Sequence, residues 1–226
     1  MLVGHFAVGF AAKRLEPAVS LGTLVFAAML ADVIAFTLVA GGIEHFRIAS
    51  GVQRNRLMGE NIVYSHSLLM DIAWGALLAG AYFLWRPHAR AAWILLAVVV
   101  SHWLLDFISH RPDMPLAPGA PGAFGLGLWN SLPATLLVEG GMWAMAIVLY
   151  VRATRSSKRA GTYALWAGIA ILTLAWLANI SAPPSLGGSA AGRSAAAAGL
   201  PSLAFFACVI GWAYWIESAR VARKRP

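Results

Sequence analysis

Ser101-His102-Trp103-Leu104-Leu105-Asp106-Phe107-Ile108-Ser109-His110-Arg111-Pro112-Asp113 closes an apolar run, Ala91 to Val100, that suits lipid better than water. His102, Asp106 and His110 recur at a spacing of four. At about 100° per residue they share one slowly drifting stripe of a helix. Pro112 ends that helix, because the residue before a proline is driven out of the α region. Isolated charge in hydrocarbon costs several kcal/mol, so such groups are paired, metal-bound or on a watered path. The stripe therefore predicts both a membrane setting and a working site.

Composition agrees with the membrane setting. Of 226 residues, 60% are hydrophobic and 12% charged, with a mean hydropathy of +0.71. Soluble domains carry about twice that charge. The one cysteine, Cys208, excludes an intramolecular disulfide framework and a cysteine-rich metal site. The formal charge of +8 comes from short loops and the tail, where basic residues read as topology determinants. No Gly-rich phosphate loop, internal repeat or basic aromatic helix points to a nucleic-acid partner. Met1 to Ala12 lacks a basic leader region, so no cleavable signal is expected.

A spanning helix needs about 20 apolar residues. Six stretches meet this: 19–42, 65–85, 89–110, 131–153, 161–181 and 200–219. A seventh, 2–12, is short and crosses only if Lys13 and Arg14 snorkel. The expected fold is thus an all-α integral membrane domain over 1–226, a bundle of about seven helices. With seven helices, twelve lysines and arginines fall on one side and five (Arg47, Arg54, Arg56, Arg111, Arg193) on the other. That bias predicts a cytoplasmic C-terminus and an outer N-terminus. Residues 43–64, 111–130 and 182–199 read as loops.

This topology collects the unusual polar groups at the outer side. His5 opens the first helix, Asp32 sits mid-way in the second, and His66 opens the third within Tyr64-Ser65-His66-Ser67. His102 lies about 12 Å deeper than His110 by helical rise. Imidazoles with carboxylates suit zinc or a neighbouring first-row metal. The candidate ligands are His5, Asp32, His66, His102, Asp106 and His110, more than one four-coordinate zinc needs, so one or two ions are expected. Asp71, one turn beyond His66, reads either as a group orienting that imidazole or as a packing carboxylate. Asp113 and Glu139 are candidates for moving protons. Ser65 or Ser67 reads as the cap of the helix that follows, and Glu44 as a solvated loop residue.

Gly4-His5, Asp32, Ser65-His66-Ser67 and the His102-to-Asp106 spacing together resemble bacterial inner-membrane proteins described as membrane-bound metal-dependent hydrolases. The likeness covers about residues 1–152; 153–226, two helices and a basic tail, carry no further mark. Two departures stand out. The family often has Asp-x-Asp where this chain has Asp32-Val33-Ile34, and His-Arg ahead of Ser-His-Ser, where Ile62-Val63-Tyr64 stands. The resemblance implies a multi-pass inner-membrane hydrolase. The site's depth adds a lipid or lipid-linked ester or phosphoester as substrate. A metal-ion or proton transporter using the same residues is the competing class. A structural protein with polar ladders between helices is a third.

Overall fold

The computed structural model describes residues 1–48, 57–59, 62–181 and 195–223, with the side chains of 46–48, 57–59 and 195–198 left aside. Among these residues the chain forms eight α-helices. They are α1 (Leu2–Leu15), α2 (Leu21–Ala28), α3 (Leu30–Ala40), α4 (Leu68–Trp85), α5 (Ala89–Ser109), α6 (Leu132–Ala153), α7 (Arg159–Ser181) and α8 (Ala195–Ser218). Two short antiparallel pairs accompany them, β1 (Phe46–Ile48) with β2 (Leu57–Gly59) and β3 (Thr154–Ser156) with β4 (Arg220–Ala222). Arg54, Arg56, Glu60, Arg193, Lys224 and Arg225, which entered the charge and loop readings, lie outside the described residues.

The short first helix is the centre of the bundle. It packs against α6, α2, α5 and α7, and Val3, His5, Phe6, Phe10 and Lys13 are all buried. A helix apolar all round is a buried helix, and small residues let its neighbours approach. At Gly9 an added Cβ would stand 3.2 Å from the Leu24 carbonyl oxygen and the Val25 Cα. Lys13 does not snorkel to water, as a short crossing helix would need. Its side chain is 2% exposed, and the ammonium donates to the Pro17 and Val19 carbonyls at 3.0 and 2.8 Å and to Glu217 Oε1 at 2.5 Å.

Five helices, α4 to α8, are long and apolar enough to cross a membrane. The stretch 19–42, expected as one continuous span, is instead two helices inclined by 59°. No proline or glycine marks the break. Met29 N–H is shared between the Val25 and Phe26 carbonyls, at 3.1 and 3.2 Å, which tightens the turn. The Ala28 carbonyl accepts instead from His102 Nδ1 at 2.8 Å. Unpaired backbone in hydrocarbon costs several kcal/mol, so a break here requires such a partner.

Serine caps fix the starts of the helices around the site. Ser20 accepts from Thr23 N–H, Ser67 from Met70 N–H and Ser131 from Ala134 N–H. His66 therefore lies in the turn ahead of α4, not in its first turn. The loop after α5 folds back on the helix end. Leu126 N–H bonds the Phe107 carbonyl at 2.8 Å and Gly127 N–H the His110 carbonyl at 2.7 Å, satisfying acceptors the helix leaves open. Gly127 has a φ of 71°, and a Cβ at Gly125 would collide with the Arg111 carbonyl. The loop's Trp129 is thereby buried with its ring 4.7 Å from that of His110.

Candidate metal centre

Four chain segments bring the polar residues to one end of the bundle. The α1 start supplies His5, the first turn of α3 supplies Asp32, the turn before α4 supplies His66, and the last turns of α5 supply His102 and Asp106. His110, at the C-cap of α5, completes the group. All six residues expected as ligands are therefore neighbours. Two overlapping sets, His5–Asp32–His102 and His66–His102–Asp106, each bring one ligand atom per residue within 4.8 Å of the others.

Asp106 is the hub. Its Oδ1 lies 3.0 Å from His5 Nε2 and 3.8 Å from His110 Nε2. Its Oδ2 lies 3.4 Å from His102 Nε2 and 3.8 Å from His66 Nε2. The Met1 amino group also contacts Oδ1. Asp32 faces the same imidazoles from α3, 3.6 Å from His66 Nε2 and 3.9 Å from His102 Nε2. The rings of His5 and His102 stack at 3.7 Å and 3°. His5, His66, His102 and Asp106 are buried, whereas the Asp32 side chain stays 22% exposed.

That exposure is to a cavity of about 360 Å³. His5, Asp32, His66, Asp106 and His110 form its polar end, while Phe36, Ile62, Phe205 and Phe206 form apolar walls. A few convergent polar groups in an otherwise apolar concavity is the form of a small-molecule site.

The remaining expected residues fall around this centre. Asp113 Oδ1 lies 3.1 Å from His110 Nδ1, and its other oxygen is 3.7 Å from Arg111 Nε. Asp71 is fully buried and accepts from Trp103 N–H at 3.1 Å, with its other oxygen lacking a hydrogen-bond partner. Glu139 is fully buried and accepts from Gly4 N–H at 3.2 Å, with the Trp129 indole N–H at 3.5 Å. Glu44 departs from its expectation as a solvated loop group: it is 0% exposed. Its Oε1 accepts from the Tyr64 and Ser65 N–H groups, and its Oε2 lies 2.6 Å from Ser65 Oγ. Ser65 Oγ is in turn 2.8 Å from His66 Nδ1. Of the two serines that could cap the helix, Ser67 does so and Ser65 does not. Nineteen residues separate Glu44 from Tyr64, and only the tertiary structure brings the two together.

The donor set fits a borderline-soft divalent cation. Imidazole and carboxylate together suit zinc and its first-row neighbours. His102 offers a test on its own geometry. Its Nδ1 donates to the Ala28 carbonyl, so in the neutral ring Nε2 carries the lone pair. That Nε2 is buried, has no hydrogen-bond partner and faces two carboxylates. A neutral ring's lone pair against two carboxylates is repulsive unless a cation, a proton or a metal ion, stands between them. The residues fit a metal.

These features define a polytopic α-helical membrane protein with a buried histidine–aspartate cluster at one end. A family model described as YdjM inner membrane protein matches residues 1–183, and the chain belongs to that family. It is accordingly a multi-pass protein of the bacterial inner membrane. Helix α8, which contributes Pro201, Ser202, Phe205 and Phe206 to the cavity, lies beyond the matched region. Neither a curated protein nor a solved structure matches the chain.

Proposed function

We propose that this protein is a metal-dependent membrane hydrolase acting on a lipid or lipid-linked ester or phosphoester, with one or two zinc ions held by His5, Asp32, His66, His102, Asp106 and His110. The observation that carries it is the buried, unpartnered Nε2 of His102, set between Asp32 and Asp106 with its other nitrogen tied to Ala28. Zinc bound there supplies Lewis acidity toward a carbonyl or phosphoryl oxygen. Asp106 and Asp32 balance the cation's charge, and Phe36, Phe205 and Phe206 keep bulk water from the reacting end while accommodating an apolar tail. Asp113 takes the proton-moving role, because it stands beside His110, which lines the cavity. Glu139 is already engaged by Gly4 and Trp129.

A metal-ion or proton transporter would use the same cluster as a transport site. Against it stands the opposite end of the bundle, where Lys13 with Glu217 and Glu16 with Arg90 are engaged in contacts of their own. Among the described residues no second metal-ligating set lies there.

Elemental mass spectrometry of detergent-purified wild type, His66→Ala and His102→Ala tests the reading. About one or two zinc per chain are expected in wild type, and loss from both variants while they remain folded. Zinc-loaded wild type should then hydrolyse a lipid ester or phosphoester in mixed micelles, and His102→Ala should not. Wild type that carries no metal after reconstitution sinks the proposal. Zinc uptake into proteoliposomes without hydrolysis would transfer it to the transporter class.

A further inference from the structure

Behind His66 runs a chain of hydrogen bonds whose polarity is fixed at its far end. Glu44 Oε1 accepts from the Tyr64 and Ser65 N–H groups at 2.9 and 3.0 Å. Oε2 meets Ser65 Oγ at 2.6 Å, and the same Oγ meets His66 Nδ1 at 2.8 Å. A carboxylate has only acceptors to offer. The single hydroxyl proton of Ser65 therefore points to Glu44, leaving Oγ only lone pairs for His66. Nδ1 must then be the protonated ring nitrogen. In the neutral ring Nε2 is then left as a lone pair facing Asp32 and Asp106, 3.6 and 3.8 Å away.

We infer that Glu44 and Ser65 are positioning residues that hold His66 as its Nδ1–H tautomer and so present Nε2 to a divalent cation, an assignment that rests on the metal-site reading above. The Ala28 carbonyl does the same for His102 from an unrelated part of the chain. Two separate devices thus leave two imidazoles in the one tautomer that can ligate toward the same carboxylates. Partners on the far ring nitrogen of a ligating histidine fix its orientation and raise its basicity.

A purely structural role for Glu44 would be to pin the 62–66 turn through its two backbone N–H bonds. Glu44→Gln separates the two roles. The amide oxygen keeps both backbone bonds, while the amide NH₂ donates to Ser65 Oγ. The hydroxyl proton is then turned toward His66 Nδ1, which demands the Nε2–H tautomer. Shape is almost unchanged and the polarity of the chain is reversed.

The test uses the full-length protein in detergent, with ¹⁵N-labelled histidine and Zn²⁺ as the probe. At mildly alkaline pH the metal-free His66 signal, identified by its loss in His66→Asn, should report Nδ1–H in wild type and Nε2–H in Glu44→Gln. Zn²⁺ affinity should fall by about 10- to 100-fold in Glu44→Gln and in Ser65→Ala, and Ser65→Thr, which keeps the hydroxyl, should restore it. The thermal midpoint of metal-free Glu44→Gln should match wild type. His66 as Nε2–H in wild type overturns the inference. So does Zn²⁺ binding by Glu44→Gln and Ser65→Ala within about twofold of wild type, well short of that expected loss. If Glu44→Gln does not fold, the Ser65→Ala and Ser65→Thr pair decides. Wild type that binds no Zn²⁺ removes the metal reading itself, and the tautomer alone then decides whether the relay exists.

Discussion

Asp106 faces four imidazoles from one helix turn, whereas Asp113 faces one imidazole, that of His110, and the Arg111 guanidinium. The two aspartates should therefore respond differently to the same substitution. Asp106→Asn removes the charge that balances a cation from the centre of the cluster. Zn²⁺ affinity should fall by more than the ~10–100-fold typical of a partner outside the ligand set, while Asp113→Asn should stay within that range. Titration of each purified variant with Zn²⁺ against a competing chelator measures both. Equal effects would show that Asp106 is not the hub. A serine and a glutamate shape the site from further back, and neither stands out by residue type, since Ser beside a helix start reads first as a cap.

Among the helices, α1 is held at the end away from the cluster by an ion pair with unequal partners. Lys13 is 2% exposed and Glu217 is 26% exposed. Removing Glu217 strands a buried ammonium on two carbonyls, and stranding a buried charge costs up to about 3–5 kcal/mol. Removing Lys13 leaves a carboxylate that reaches water and still accepts from Leu21 N–H at 3.1 Å. Glu217→Ala should therefore lower the unfolding midpoint in detergent more than Lys13→Met does; the reverse order would deny the pair this role. The α4–α5 contact is equally specific. A Cβ at Gly75 would stand 2.8 Å from Leu96 Cδ1 and 3.2 Å from Val99 Cβ. Gly75→Val should cost about 1–3 kcal/mol by overpacking, read from the same unfolding curves. It should also weaken Zn²⁺ binding, because α5 carries His102 and the turn leading into α4 carries His66. Wild-type affinity in a destabilised Gly75→Val would show that the site tolerates movement of α4.

Across the whole molecule, the histidine–aspartate cluster lies at one end and the Lys13–Glu217 ion pair at the other. The end with His5, His66 and His110 also carries the loop Arg111–Asn130, and the opposite end carries the Lys13–Glu217 and Arg220–Thr154 contacts. The distribution of lysine and arginine predicts that the second end faces the cytoplasm. A fluorescent protein fused after Pro226 should fold and fluoresce, and alkaline phosphatase inserted after Gly119 should be active. Active phosphatase at the C-terminus instead would invert the molecule and turn the cavity to the cytoplasm.

Sequence alone determined that the chain is a helical membrane protein, where most of its helices lie, and which polar residues are out of place in lipid. Those are local properties: apolar length, charge counts and a spacing of four are written in consecutive residues. The tertiary structure alone decided that the short first helix is the core, that the second span breaks at Met29, and that Glu44 is buried behind His66. The break has no proline or glycine to announce it. It exists because His102, seventy-four residues away, accepts the role of partner to the Ala28 carbonyl. Lys13 is buried because Glu217, two hundred and four residues on, meets it. Such pairings follow from which helices become neighbours, and that is settled by packing of the whole bundle rather than by any stretch of it.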